Sequence, residues 1–265
     1  MHVVSGYPDG IFCWADLATT DQAAAKRFYS SLFGWSAVDV PISEGDVYSL
    51  MQIDGKRVAG IGPQPPDMQS QGIPSFWAVY VKHDDADAVA EKISAAGGTL
   101  MMPPMDVMEE GRMVMAQDPT GAAFGVWQPN RHTGAEVVNS PNSLVWTELY
   151  SPNLKAARQF YGDVFGWNFE DDGSGYVTAG LNGRRHAGMM TLTPEMGNMP
   201  PNWTAYFMVD DIKAATDKVK ELGGNVLMPN VSAGEVGTFS VVQDPQGAVF
   251  HIIQLNGQPD TPPSA

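Results

Sequence analysis

The chain contains 265 residues, with 15 Lys and Arg against 30 Asp and Glu, which gives a formal net charge of −15. An acidic surface of this kind repels the phosphates of nucleic acids and of anionic lipids, so neither is expected as a main partner. The sequence shows no signal-peptide pattern and no apolar run long enough to span a membrane, which predicts a cytoplasmic protein.

The first half of the chain predicts two successive units with the element order βαβββ. In the first unit, Thr19 or Thr20 is expected to cap a helix that ends at Gly34. In the second unit, a helix is expected to begin at Asp84 and to end at Gly97. The strands are predicted at residues 11–17, 35–40, 47–53 and 58–61 in the first unit, and at 76–81, 99–102, 112–117 and 123–127 in the second.

The second half of the chain repeats the first. Residues 14–35 align with residues 146–167, and nine of these 22 positions are identical. Residues 117–122 likewise match residues 243–248. This repeat predicts an α+β protein built from four tandem βαβββ units. The expected organisation is a first domain at 1–128, a linker at 129–142, a second domain at 143–255 and a disordered tail at 256–265.

Two aromatic motifs occur in both halves. Phe28-Tyr29 precedes Phe33-Gly34-Trp35, and Phe160-Tyr161 precedes Phe165-Gly166-Trp167, with an Asp-Pro-x-Gly sequence later in each half. These motifs resemble the vicinal oxygen chelate superfamily of glyoxalases, bleomycin-resistance proteins and extradiol dioxygenases, and especially its two-domain, actinobacterial-type members. The resemblance implies that each pair of units forms a half-open barrel around a cavity.

The resemblance also implies where a metal would bind in an enzyme of this superfamily, on the first and last strands of the units. The residues at those positions are Trp14, Ala78 and Gly125 in the first half, and Trp146, Thr204 and His251 in the second. A divalent cation needs three or more convergent nitrogen or oxygen ligands. The usual metal site is therefore expected to be lost in the first domain and damaged in the second, and no cofactor is expected.

The second domain offers one alternative metal site. Glu148, His186 and His251 together would supply the two histidines and one carboxylate that non-haem iron enzymes use, so a divalent metal stays open as a cofactor. Without a metal, His251 is a candidate acid, base or ligand contact, and the alternative is a buried core histidine. Glu148 and His251 are thus the candidate catalytic residues.

The first strand of each domain carries a tryptophan and a carboxylate two residues apart. Such side chains share a face, so Asp16 and Glu148 should point into the same cavities as Trp14 and Trp146. The indole rings offer an apolar surface for a flat ligand, and a buried carboxylate is a candidate ligand acceptor or general base. In the alternative, backbone amides or an arginine such as Arg112 hold each carboxylate in a structural role.

These features predict a protein that binds a small, flat or partly apolar molecule in one or both cavities. The expected ligand contacts are Trp14, Asp16, Trp146, Glu148, Thr204 and His251. One alternative is an enzyme acting from the second domain, either a metal-dependent lyase, isomerase or dioxygenase or a metal-free acid/base catalyst. Another is a protein whose own side chains fill both cavities. A monomer and a homodimer both stay open.

Overall fold

The computed structural model describes residues 1–259 and contains two eight-stranded sheets, one in each half of the chain. The elements of the first half are β1 (Phe12–Thr19), α1 (Gln22–Phe33), β2 (Ser36–Pro41), β3 (Val47–Ile53), β4 (Lys56–Pro63), α2 (Pro66–Ser70), β5 (Phe76–Lys82), α3 (Ala86–Ala95), β6 (Thr99–Val107), β7 (Gly111–Gln117) and β8 (Ala123–Pro129). Those of the second half are β9 (Leu144–Ser151), α4 (Leu154–Phe165), β10 (Asn168–Asp171), β11 (Val177–Leu181), β12 (Arg184–Thr191), a 3₁₀ helix (Pro194–Met196), β13 (Asn202–Met208), α5 (Ile212–Glu221), β14 (Asn225–Ser232), β15 (Gly237–Gln243) and β16 (Val249–Leu255).

The two sheets have the same strand order. In the first sheet it is β2-β3-β4-β1-β5-β8-β7-β6, and the second sheet repeats it as β10-β11-β12-β9-β13-β16-β15-β14. The first strand of each unit pairs in parallel with the last strand of the same unit, as β1 does with β4 and β5 does with β8. The first strands of the two units pair with each other in antiparallel fashion. This topology confirms the predicted α+β fold of four tandem βαβββ units.

The ends of helix α1 show one wrong and one correct prediction. Its N-terminal cap is Asp21, whose side chain accepts a hydrogen bond from the backbone N–H of Ala24 at 2.9 Å. Thr19 and Thr20, the predicted caps, lie too early in the chain because β1 continues through Thr19. Gly34 ends the helix as predicted, with a φ of 73° that favours glycine.

The shared Phe-Tyr motifs lie at the contact between the two domains. The hydroxyl of Tyr29 donates a hydrogen bond to the carboxylate of Asp244 at 3.0 Å. The hydroxyl of Tyr161 donates to the carboxylate of Asp118 at 3.1 Å. Each motif tyrosine therefore binds the Asp-Pro-x-Gly turn of the other domain, so the repeat produces two equivalent hydrogen bonds across the contact.

Residues 129–142, the predicted linker, pack against the first domain. The backbone N–H of Ala135 donates to the carbonyl of Cys13 at 2.8 Å, and Val137 is fully buried. At the other end of the chain, residues 256–259 of the predicted disordered tail belong to the described structure, whereas residues 260–265 lie outside it. Among the helices of residues 1–259, none is long and apolar enough to cross a membrane.

Candidate functional site

The second domain contains a cavity of about 840 Å³. Its wall inside the sheet includes five large apolar or aromatic side chains and one carboxyl group, namely Trp146, Tyr176, Met190, Tyr206, Phe239 and Glu148. Tyr176 immediately precedes β11, and the others come from strands β9, β12, β13 and β15, in which alternate residues share a face. Trp146 and Glu148 therefore lie on the same cavity wall, two residues apart on β9.

A chain of hydrogen bonds holds the carboxyl group of Glu148. The indole N–H of Trp146 donates to the hydroxyl oxygen of Tyr176 at 3.0 Å. That hydroxyl donates to Oε2 of Glu148 at 2.9 Å, and the hydroxyl of Tyr206 donates to Oε1 at 2.8 Å. Both carboxyl oxygens thus have a donor, which is the condition for burying such a group.

The hydrogen-bond chain requires a glycine on the neighbouring strand. Gly188 of β12 pairs directly with Glu148 of β9. A Cβ atom on Gly188 would lie 1.9 Å from the hydroxyl oxygen of Tyr176 and 3.0 Å from Nε1 of Trp146. The absence of a side chain at this position therefore makes room for both polar atoms.

Glu148 is 4% exposed, and burial raises the pKa of its carboxyl group. The hydroxyls of Tyr150, Tyr206 and Tyr176 act in the opposite direction because they stabilise the ionised form. The carboxyl group is thus easier to protonate than one in water. At the cavity wall it can accept a hydrogen bond from a ligand or exchange a proton with it.

The first domain contains the same arrangement. The indole of Trp14 donates to the hydroxyl of Tyr48 at 2.9 Å, and that hydroxyl donates to Asp16 at 3.0 Å. The hydroxyl of Tyr80 also donates to Asp16, at 3.3 Å. Burial raises the pKa of Asp16 to about 6, against the effect of both tyrosines. Arg112 does not hold this carboxylate, because its guanidinium forms ion pairs elsewhere, with two aspartates of the first domain.

Side chains of the first domain occupy the space around its own Trp14 and Asp16. A Cβ atom on Gly125 would lie 2.1 Å from the ring of Tyr80, so this ring lies directly over the glycine. His132, from the predicted linker, packs edge-on against Trp14 with ring centroids 4.3 Å apart. Trp14, which was predicted to stack on a ligand, is thus in contact with another ring of the chain.

Thr204 and His251 pair directly with Glu148 and Tyr206, so they lie on the same face of the sheet, but neither lines the cavity of the second domain. The hydroxyl of Thr204 donates to the side-chain oxygen of Asn202 at 2.7 Å. The ring of His251 lies edge-on to Tyr206, at 4.3 Å, and stacks on Phe239 at 5.7 Å. Neither Thr204 nor His251 belongs to the lining of the cavity, so their predicted ligand contacts are not formed directly in this arrangement.

His251 is 3% exposed, and burial lowers its pKa to about 3. The unfolded chain takes up a proton at this residue below about pH 6.5, whereas the folded chain stays neutral. We therefore expect His251 to reduce the free energy of unfolding by about 1.4 kcal/mol for each pH unit below 6.5, until the pH nears 3. Urea unfolding of wild type and His251→Gln at pH 7, 6 and 5 measures this, because the stability difference should shift in favour of the variant as the pH falls. Parallel pH profiles would contradict the prediction.

The alternative metal site is not assembled. His186 packs edge-on against Trp167, with ring centroids 4.6 Å apart, while His251 packs against Tyr206 and Phe239. Within residues 1–259, no group of three or more His, Cys, Asp or Glu side chains is placed to hold a metal ion. The alternative in which Glu148, His186 and His251 form a triad is therefore not realised in the described residues, since the histidine rings pack against different aromatic clusters. The residues present do not fit the metal of the superfamily's enzymes.

Residues outside the predicted second domain also line its cavity. They belong to the N-terminal segment, to the predicted linker and to the segment after β16, namely Tyr7, Ile11, Phe12, Val138, Asn139, Gly257, Gln258 and Pro259. The sequence analysis missed them. Their place at the cavity depends on how the two domains pack together, which no local residue pattern indicates.

The sequence has several relatives of known name. The model of the Glyoxalase/Bleomycin resistance protein/Dioxygenase superfamily matches residues 11–126 and 143–252. CFP32 of Mycobacterium tuberculosis, which carries the name of a glyoxylase, is 42% identical over 256 residues, covering 94% of this chain and 97% of the relative. The anthracycline biosynthesis protein DnrV of Streptomyces peucetius is 36% identical over 264 residues, covering 94% of each chain.

Solved structures share the fold at lower sequence identity. The Mn(II)-bound glyoxalase from Novosphingobium aromaticivorans has a TM-score of 0.67 and 18% identity, covering 96% of this chain and 85% of that chain. The 2,3-dioxygenase LapB from Pseudomonas sp. KL28 has a TM-score of 0.65 and 16% identity, covering 100% and 98% of the two chains. The aromatic motifs, the paired βαβββ units and these matches agree, and the chain belongs to the Glyoxalase/Bleomycin resistance protein/Dioxygenase superfamily.

Proposed function

We propose that the chain binds a small molecule with a flat or partly apolar body in the cavity of the second domain. The observation that carries this proposal is the combination of aromatic side chains with the single buried carboxyl group of Glu148 on one wall. The cavity volume of about 840 Å³ lies within the range of roughly 300 to 1,000 Å³ that is usual for small-molecule sites.

The hydrogen-bond chain prepares this wall for a ligand. Trp146 is held by its bond to Tyr176, so little freedom of the indole ring is lost when a flat molecule packs against it. Glu148 is held by two tyrosine hydroxyls. We infer that the indole supplies apolar contact and that the carboxyl group fixes the orientation of a ligand hydroxyl.

The relatives support a flat ligand. DnrV of Streptomyces peucetius and DauV of Streptomyces sp. strain C5 are anthracycline biosynthesis proteins, and they are 36% and 35% identical to this chain. Anthracyclines contain a planar system of fused rings with hydroxyl and carbonyl groups. Such a body matches a cavity that combines aromatic surface with one buried hydrogen-bonding group.

Titration with alizarin, a planar dihydroxyanthraquinone, tests the proposal by quenching of tryptophan fluorescence and by calorimetry. We expect Trp146→Phe and Glu148→Gln each to raise the Kd about tenfold or more, because each removes an oriented contact in a buried site. The matched controls are Trp14→Phe and Asp16→Asn, which alter the same hydrogen-bond chain in the first domain and should change the Kd less than twofold. Equal effects in both domains, or no binding to wild type, would refute the proposal.

Catalysis on the bound molecule is a second candidate function. It is supported by the buried, readily protonated carboxyl group of Glu148 at the cavity wall, which is the kind of group that transfers protons in active sites. The metal content of untagged protein purified without chelator separates two forms of this candidate. Because no metal site is assembled within residues 1–259, we expect no stoichiometric metal and therefore the metal-free acid/base form, and stoichiometric metal in wild type would contradict this expectation.

A further inference from the structure

Two polar side chains on the lining of the cavity have no hydrogen-bond partner within residues 1–259. They are the hydroxyl of Thr147 on β9 and the imidazole of His186 on β12. The hydroxyl oxygen of the threonine and both ring nitrogens of the histidine are buried. Buried polar groups in folded proteins are nearly always hydrogen-bonded, so two exceptions on one cavity lining require an explanation.

The two side chains lie on neighbouring strands. β9 and β12 pair in parallel, with Glu148 opposite Gly188. Thr147 comes one residue before this pair on β9, and His186 comes two residues before it on β12. Neighbouring strands are about 4.8 Å apart. One small group of a ligand can therefore lie within reach of both side chains.

A β-bulge directs the side chain of His186. Strand β12 pairs with β11 at Ala187 and at Arg185, and His186 between them has no partner in the ladder. A bulge of this kind changes the direction of the side chain. The imidazole packs against Trp167 and against Phe12 of the first domain, with ring centroids 4.6 and 6.3 Å away. His186 thus lies where the cavity adjoins the first domain, because Phe12 also lines the cavity.

The first domain has apolar residues at both positions. The repeat alignment places Ala15 at the position of Thr147. The bulged residue of the corresponding strand β4 is Val58, at the position of His186. Ala15 and Val58 are both fully buried. The polar pair therefore belongs to the second domain alone, and the other copy of the fold accommodates the replacements Thr147→Ala and His186→Val.

The pair offers hydrogen-bond donors rather than charge. Burial, and then the charge of Arg184, lower the pKa of His186 to about 3, so the imidazole is neutral near pH 7. Arg184 itself has an interaction partner in the chain, and Arg185 forms an ion pair with Glu170 at 2.8 Å. A neutral imidazole keeps one N–H donor, and the hydroxyl of Thr147 also donates. Two neutral donors suit a carbonyl oxygen, which has two lone pairs.

We propose that Thr147 and His186 together bind a carbonyl oxygen of the ligand. The inference rests on the proposed function, because it concerns the same cavity. It adds the chemical class of the ligand, an aromatic ketone or quinone with a hydroxyl group, and Glu148 stays the partner of that hydroxyl. Thr147 and His186 determine specificity, since a ligand without the carbonyl leaves both donors unpaired.

The probes are 2-hydroxyfluorenone and 2-hydroxyfluorene, which share a flat ring system and a hydroxyl group and differ only by a carbonyl in place of a methylene. We expect wild type to bind the fluorenone about tenfold more tightly, as measured by quenching of tryptophan fluorescence and by calorimetry. Thr147→Ala and His186→Val should each reduce this preference to about threefold or less and leave the Kd of the fluorene within about twofold.

Three further variants identify the cause of a lost preference. His132→Gln is the control for removal of a buried imidazole, because Nε2 of His132 has no hydrogen-bond partner in the described part of the chain and the residue does not line the cavity. This control should keep the preference. His186→Gln returns an N–H donor and should restore part of it. Glu148→Gln should weaken the binding of both probes and keep their ratio, since it acts on the hydroxyl.

Nitrogen-15 NMR of the imidazole rings gives a readout that does not depend on affinity. The signals of His186 are identified by their absence in His186→Val. We expect saturation with hydroxyfluorenone to shift the resonance of the protonated ring nitrogen of His186, because this nitrogen gains a hydrogen bond. Saturation with hydroxyfluorene should shift it less, and the ring nitrogens of His132 should not respond to either probe.

The outcomes separate the two proposals. If wild type binds both probes equally, or if Thr147→Ala or His186→Val keeps the full preference for the fluorenone, the carbonyl site is refuted while the binding function stands. Loss of the preference in His132→Gln to the same extent as in His186→Val would also refute it, since a general effect of histidine removal would then explain the result. If neither probe nor alizarin binds, the proposed function fails and the inference fails with it.

Discussion

Replacement of Asp244 by alanine is expected to lower the free energy of unfolding by about 3 to 5 kcal/mol, because it leaves several buried donors without an acceptor. Asp244 is 1% exposed. Its Oδ1 accepts the backbone N–H groups of Gln246 and Ala248, both at 2.9 Å. Its Oδ2 accepts the hydroxyl of Tyr29 from the other domain at 3.0 Å. One side chain thus holds both a tight turn and the contact between the domains.

Urea unfolding at pH 7 measures this loss. The matched control is Tyr29→Phe, which removes the bond between the domains and keeps the turn, and we expect a loss of about 1 to 2 kcal/mol. Asp118→Ala should behave like Asp244→Ala, since Asp118 accepts from Thr120, Ala122 and Tyr161 in the equivalent way. A change below about 1 kcal/mol for either aspartate variant would show that these contacts are not important for stability.

Gly188→Ala is expected to have the largest effect on the ligand cavity. The new methyl group would overlap the hydroxyl of Tyr176, which lies 1.9 Å from the ideal Cβ position. Because the overlap is with an atom that bonds both Trp146 and Glu148, the tyrosine has to leave and the carboxyl group loses one of its donors. We expect a loss of about 2 to 3 kcal/mol in stability and at least a tenfold increase in the Kd for alizarin.

Gly60→Ala is the matched control in the first domain. Its ideal Cβ position lies 1.8 Å from the hydroxyl of Tyr48, so the steric problem is the same. We expect a similar loss of stability in urea unfolding, with the Kd for alizarin within about twofold of wild type. If both glycine variants weakened binding equally, the effect would come from general destabilisation rather than from the cavity of the second domain.

The sequence predicted the fold well because the relevant signals are local and occur twice. Alternating apolar residues mark the strands, and the predicted bounds 47–53 agree with strand β3 as observed, Val47–Ile53. The end of α1 at Gly34 follows from the conformational freedom of glycine. The cap of the same helix was misplaced because Thr19, Thr20 and Asp21 are adjacent residues that all favour this position. Which of them caps the helix depends on where β1 ends.

The candidate site was predicted in part. The two-residue spacing on β9 correctly places Trp146 and Glu148 on one face. The spacing does not show which donors satisfy a buried carboxylate, and Tyr206 binds Glu148 from a strand 58 residues away. His186, which lines the same cavity, is a similar case. Its surroundings include Phe12, whose position depends on the packing of the first domain against the second.

The reciprocal Tyr–Asp hydrogen bonds between the domains bear on how the duplicated chain relates to a shorter ancestor. The first domain alone contains both a motif tyrosine, Tyr29, and a turn aspartate, Asp118, so each copy carries both halves of the contact. Two identical copies related by a twofold axis could form the same pair of bonds. Fusion of the two copies makes their effective concentration independent of dilution. It also frees each half to change separately, which is how one domain can have His186 where the other has Val58.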